Sequence, residues 1–140
     1  MSRDSQKSKV YAWENSLNQG VHLLFGAITP YVARVWAGEQ LQWPPLVEKL
    51  HKNNGHAGLG GRHRVSFPVS GASELTILHE VAHAMCATIN GHSDAHGPTF
   101  VGVYIKLLEK HLSIPLPLLL YTAEKFKVKY DLFAKPWCGK

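Results

Sequence analysis

Two histidines four residues apart, His79 and His83, carry the most visible chemistry in this 140-residue sequence. On a helix that spacing sets both imidazoles on one face, one above the other. Both can then reach a single Zn²⁺ at about 2.0–2.1 Å. Glu80 follows the first histidine and projects roughly 100° around the helix, beside the metal rather than onto it. There a carboxylate can act as general base toward a water that the metal has made acidic.

The surrounding residues support a buried helix. Leu75, Leu78, Ala82, Met85 and Ile89 recur at helical spacing, with Ile77, Val81 and Ala84 behind them. His79 and His83 would therefore lie largely inside, where a histidine needs a metal or a hydrogen-bond partner. A catalytic zinc takes three protein ligands and keeps one position open. His96 and His92 are the candidates for the third, and His96 is favoured. It precedes Gly97-Pro98, a helix entry with proline in the first turn, which would hold the ligand firmly. Cys86 stands one turn beyond His83 and reads as a small buried hydrophobe.

His79-Glu80-Val81-Ala82-His83, a loop, and then His96-Gly97-Pro98-Thr99-Phe100 resemble the SprT-like and Spartan group of zinc proteases. The stretch from Arg3 to Glu14 also resembles the start of a small, uncharacterised actinobacterial family of metallohydrolases with the same core. The metal motif spans about a fifth of the chain. The resemblance implies a zincin-like domain with Zn²⁺ on His79, His83 and His96, Glu80 as catalytic base, and a protein or peptide substrate. SprT-like proteins often carry a C-terminal zinc ribbon; with only Cys86 and Cys138 this chain has no four-cysteine ribbon.

The rest of the chain must position these residues. Ser2 to Asn18 reads as an amphipathic helix with Val10, Trp13 and Leu17 on its inner side. Thr29-Pro30 reads as a helix entry, and that helix runs to about Gly38. Leu46 to His51 alternates in a way that suits a strand without excluding a helix, Asn53-Asn54-Gly55 signals a turn, and Ala57 to Gly61 forms an irregular glycine turn. Arg64 to Val69 is a strand in which Pro68 marks a strand end or an edge, and at an exposed edge an extended peptide could add as a further strand. Ser73 caps the zinc helix and Glu74 sits in its first turn. Helices are expected over Pro98 to Leu112 and Leu118 to Lys127, followed by a tail over 130–140 in which Phe133 and Trp137 fold back. The fold class is α+β: one domain over 1–140, helices around a small antiparallel sheet, the zinc helix central.

Composition sets the bounds. Apolar residues are 45% and charged residues 18%, ordinary for a globular protein. No apolar run is long enough to span a membrane, and no signal peptide opens the chain. Two cysteines give no disulfide framework and suit a cytoplasmic location. A net charge of +5 allows weak, non-specific contact with nucleic acid. The expectation is a zinc metallohydrolase, acting on peptide bonds, with His92, Tyr104 and Tyr121 as candidate oxyanion donors and Asp94 as a possible second-layer partner of a ligand. The alternatives are a zinc-stabilised module that docks on DNA or protein without turnover, and a hydrolase of some non-peptide amide.

Overall fold

The computed structural model of the chain describes residues 4–18, 20–50, 58–88, 93 and 95–136. Its elements run α1 (Lys7–Leu17), β1 (His22–Leu23), α2 (Phe25–Gly38), β2 (Leu46–Lys49), β3 (Leu59–Gly60), β4 (Arg64–Phe67), β5 (Ala72–Ser73), α3 (Glu74–Cys86), α4 (Pro98–Leu112) and α5 (Leu116–Lys125). The fold is α+β. The motif helix α3 is central: it touches α2, α4 and strands β3, β4 and β5.

Local chemistry sets the ends of α3. Ser73 is extended, and its Oγ accepts the Thr76 N–H at 3.2 Å, a side-chain cap on a free helix donor. Glu74, in the first turn, accepts from Val21 N–H and from the Tyr31 hydroxyl, both at 2.9 Å. One carboxylate thus fastens the start of α3 to β1 and α2. Beyond it Ile77, Leu78, Val81, Ala82, Ala84, Met85 and Cys86 are all buried. α4 opens with Pro98 after an extended Gly97 and closes at Ser113 in the left-handed region (φ 56°).

The sheet is not the simple antiparallel one expected. β2 pairs parallel with β4 and β3 pairs antiparallel with it, in the order β2-β4-β3, while β1 and β5 form a separate antiparallel pair. Alternation in sequence shows which residues share a face; it does not show direction, and β2 pairs across the intervening β3. β4 is consequently the central strand and not an edge. Pro68 follows its last residue, and the terminal strand next to α3 is β3.

Three boundaries also move. Thr29-Pro30 lies inside α2, which begins at Phe25 after the Ala27 N–H bonds the Leu24 carbonyl. Pro30 removes a donor from the Gly26 carbonyl, and Gly26 is exposed, so water can serve it. α1 starts at Lys7 because the residues before it face inward to other partners: Gln6 Nε2 donates to the His96 and Lys129 carbonyls at 2.9 and 3.1 Å, and its Oε1 accepts the Lys129 N–H. α5 begins at Leu116, with Pro117 accommodated in its first turn.

The C-terminal segment docks through its backbone, not through Phe133, which is 91% exposed. The Asp131 N–H bonds the Pro98 carbonyl at 3.1 Å. There the chain crosses α4 at Gly102, where a Cβ would lie 1.8 Å from the Asp131 carbonyl oxygen. Trp137 and the Asn53–Gly55 turn lie outside the described residues.

Candidate metal centre

α3 presents His79 and His83 along one face, and the turn before α4 brings His96 to meet them. The three Nε2 atoms form a triangle with each side 3.2 Å. Three imidazole nitrogens bonded at about 2.0 Å to a tetrahedral ion stand roughly 3.3 Å apart, so the triangle has the size such an ion needs. These histidines could hold a metal ion.

Their protons point to the same conclusion. His79 Nδ1 lies 2.6 Å from Glu14 Oε2, and His96 Nδ1 lies 2.6 Å from Asp4 Oδ2. A carboxylate accepts, so each Nδ1 carries the hydrogen and each Nε2 turns a lone pair inward. The inward nitrogens of His79 and His96 thus present lone pairs 3.2 Å apart, with His83 Nε2 at 3.2 Å from both, an arrangement that a bound cation would satisfy. Burial, then the neighbouring His79 and His96, hold His83 down at about 2, so at neutral pH its imidazole is uncharged. Burial also lowers His96, against the pull of Asp4. At His79 burial works downward, but the hydrogen bond and charge of Glu14 prevail and raise its pKa.

Aromatic rings fix the cluster. Phe100 stacks on His83 (4.2 Å between centroids, 19° between planes) and stands edge-on to His79 and His96 at 5.1 and 5.2 Å. Tyr11 lies flat against His79 at 5.6 Å and 6°, and tilted against His96 at 5.4 Å. Tyr104 is fully buried; its hydroxyl donates to Glu14 at 2.5 Å and lies 3.1 Å from the Leu75 carbonyl. Glu14 Oε2 thus serves two donors, His79 and Tyr104. Trp13, next to Glu14, anchors α1 with its Nε1–H on Thr122 Oγ1 at 3.0 Å and its ring edge-on to Tyr104.

Glu80 stays outside the triangle. It shares with His79 the wall of a cavity of about 440 Å³, which is also lined by Lys7, Tyr11, Glu14 and Thr76. Burial raises its carboxyl to about 7; His79 pulls against this and the charge of Glu14 adds to it. A carboxyl poised near neutrality can both take and return a proton. β3 leans on this residue. A Cβ at Gly60 would sit 2.6 Å from the Glu80 carbonyl oxygen and 2.9 Å from its Oε1, and one at Gly58 would sit 3.1 Å from its Cγ. The glycines read as an irregular turn therefore let a strand pass against the glutamate.

His79, Glu80, His83 and His96 come together as their spacing predicts. Cys86 is buried, with its Sγ 3.9 Å from the Thr99 carbonyl and no place in the triangle. Tyr121 is 67% exposed on α5 and does not line the cavity, and the Tyr104 hydroxyl is committed to Glu14. His92 and Asp94 lie outside the described residues. Asp4, Tyr11 and Glu14 are the residues that sequence reasoning missed. Their one signal is Tyr11 and Glu14 at i and i+3, a shared helix face, and a solvated helix shows the same pattern.

Comparison with protein-family models, with curated proteins and with solved structures gives no match to this chain. Among the described residues no helix is long and apolar enough to cross a membrane.

Proposed function

We propose that the chain is a zinc-dependent peptidase of the zincin-like, SprT-like kind, with Zn²⁺ on His79, His83 and His96. The observation that carries this is a triangle of three imidazole nitrogens beside a buried glutamate that does not join it. A structural zinc site closes with four protein ligands and has no use for a neighbouring base. Only histidine nitrogens make up the triangle, a donor set that suits zinc among the common first-row ions.

When bound, zinc polarises the scissile carbonyl and brings the pKa of a water to about 7. Glu80 takes that water's proton and returns it to the leaving amine, which its near-neutral carboxyl suits. Glu14 and Asp4 hold His79 and His96 in the ligating tautomer, as carboxylates commonly do behind metal-bound histidines. The terminal strand β3 passes Glu80 with one edge unpaired among the described residues, so an extended peptide can add there as another strand. This moves the docking edge from β4 to β3.

Glu80→Gln is the test. It keeps the size of the side chain and removes its ability to accept a proton. Cleavage of an unfolded protein should fall by about 10²–10⁴, with zinc content unchanged on the same sample. Activity that survives with zinc intact would remove Glu80 as base. Full zinc content with no cleavage by the wild-type protein would favour the binding module.

A further inference from the structure

We infer that Tyr11 is a catalytic residue, its phenol donating a hydrogen bond to the oxyanion that forms on the scissile carbonyl. This rests on the peptidase proposal and names a part that proposal lacks. Hydrolysis of an amide by a metal-held water needs a donor aimed where negative charge develops. Tyr104 cannot supply it, since its hydroxyl is buried on Glu14, and Tyr121 is elsewhere on the surface.

Tyr11 has the required placement. Its ring lies flat on the ligand His79 and tilted over the ligand His96, so it covers the triangle from the α1 side. It lines the same cavity as Glu80 and His79. It is partly exposed, at 42%, and among the described residues no protein group hydrogen-bonds its hydroxyl. An aromatic held against two of the three histidines, lining the cavity and with a hydroxyl that no protein group among the described residues engages, has a donor to offer a bound substrate. The helix fixes its aim. Lys7, Tyr11 and Glu14 stand at i, i+4 and i+7 on the cavity face, while Val10, Trp13 and Leu17 lock the opposite face into the core. Because Glu14 grips His79 by its edge while Tyr11 covers its face, ring and phenol move with the ligand.

The chemistry balances without any further reagent. The water oxygen adds to the carbonyl carbon, the C–N bond breaks, and Glu80 carries the proton from water to amine. Tyr11 shares its proton with the oxyanion and keeps it throughout.

Tyr11→Phe tests this, since the ring and its stacking remain. Two measurements on the zinc-loaded protein go together: cleavage of an unfolded protein, and calorimetric binding of N-phosphoryl-Leu-Trp, whose tetrahedral phosphoryl group mimics the oxyanion. The expected result is kcat about 10²-fold lower with little change in KM, probe binding at least about tenfold weaker, and zinc content unchanged. Equal probe binding by wild type and Tyr11→Phe would overturn the role of Tyr11 and leave the peptidase proposal standing. Loss of zinc from Tyr11→Phe would make the residue a support for His79 and overturn the role as donor. A wild-type protein that neither cleaves nor binds the probe would overturn the peptidase proposal, and this one with it.

Discussion

Glu14→Gln should weaken metal binding without unfolding the protein. Glu14 Oε2 accepts from His79 Nδ1 at 2.6 Å and from the Tyr104 hydroxyl at 2.5 Å, and its side chain is only 12% exposed. Glutamine keeps the shape and can still accept both hydrogens through its carbonyl oxygen, but the charge is gone. A charge-assisted hydrogen bond contributes about 1.5–3 kcal/mol and a neutral one about 1, so His79 loses roughly 0.5–2 kcal/mol of support for its electron-rich, ligating form. At about 1.4 kcal/mol per factor of ten, metal affinity should fall roughly 2- to 30-fold. Loss of carboxylates behind metal-bound histidines commonly costs about 10–100-fold, which overlaps the upper part of that range. The assay is competition for zinc against a chromophoric chelator at fixed pH, with a thermal melt on each sample to check the fold. Tyr104→Phe is the control. It removes the other hydrogen bond to Glu14, should lower stability by about 1 kcal/mol, and should leave affinity within threefold. Glu14→Gln protein that binds zinc as tightly as wild type would show that His79 needs no carboxylate behind it, and the reasoning about tautomers would be wrong.

Removing any one ligand, by His79→Ala, His83→Ala or His96→Ala, should cut zinc content to well below one per chain, and His92→Ala should not; metal analysis after dialysis decides. Gly60→Ala should destabilise the fold by about 1–3 kcal/mol, seen as a lower denaturant midpoint, because its Cβ would lie 2.6 Å from the Glu80 carbonyl oxygen and β3 would have to move. Zinc affinity should fall as pH drops, since only unprotonated imidazoles bind. Because His79 titrates above its ordinary 6.5, the decline should begin above that pH, and Glu14→Gln should move its onset downward. A chelator titration across pH 5–8 that shows no such shift would count against Glu14 as the cause.

The candidate site was legible in the sequence as far as its local spacing went. His79 and His83 face the same way because any helix makes them do so, and His96 was singled out because Gly97-Pro98 opens α4. The carboxylates were not legible. Asp4 and Glu14 reach their histidines across 92 and 65 residues of sequence, contacts that no local pattern encodes. The sheet failed for a related reason. β2 pairs in parallel with β4 across β3, and strand direction is a tertiary property that alternation does not carry. Pro30 misled because a proline in the first turn and one slightly deeper in an exposed helix start look alike in sequence.

The same long-range contacts explain why α1 belongs to the site. Lone pairs converging at 3.2 Å can be relieved by rotating a ring or by a proton at the shared centre. Rotation is opposed here. Turning His79 would break its bond to Glu14 and its flat contact with Tyr11, and turning His96 would break its bond to Asp4. Phe100 holds His83 by its face. Packing of α1 and α4 thus keeps the nitrogens turned inward, where a metal cation could sit while every other contact stays in place. Only Gly97 separates His96 from the start of α4, and Glu80 stands next to His79 on α3. The segment that orients His79 and His96 is thus also a wall of the cavity beside Glu80: Tyr11 and Glu14 line it from α1. Loosening α1 would free those two imidazoles and open that wall together.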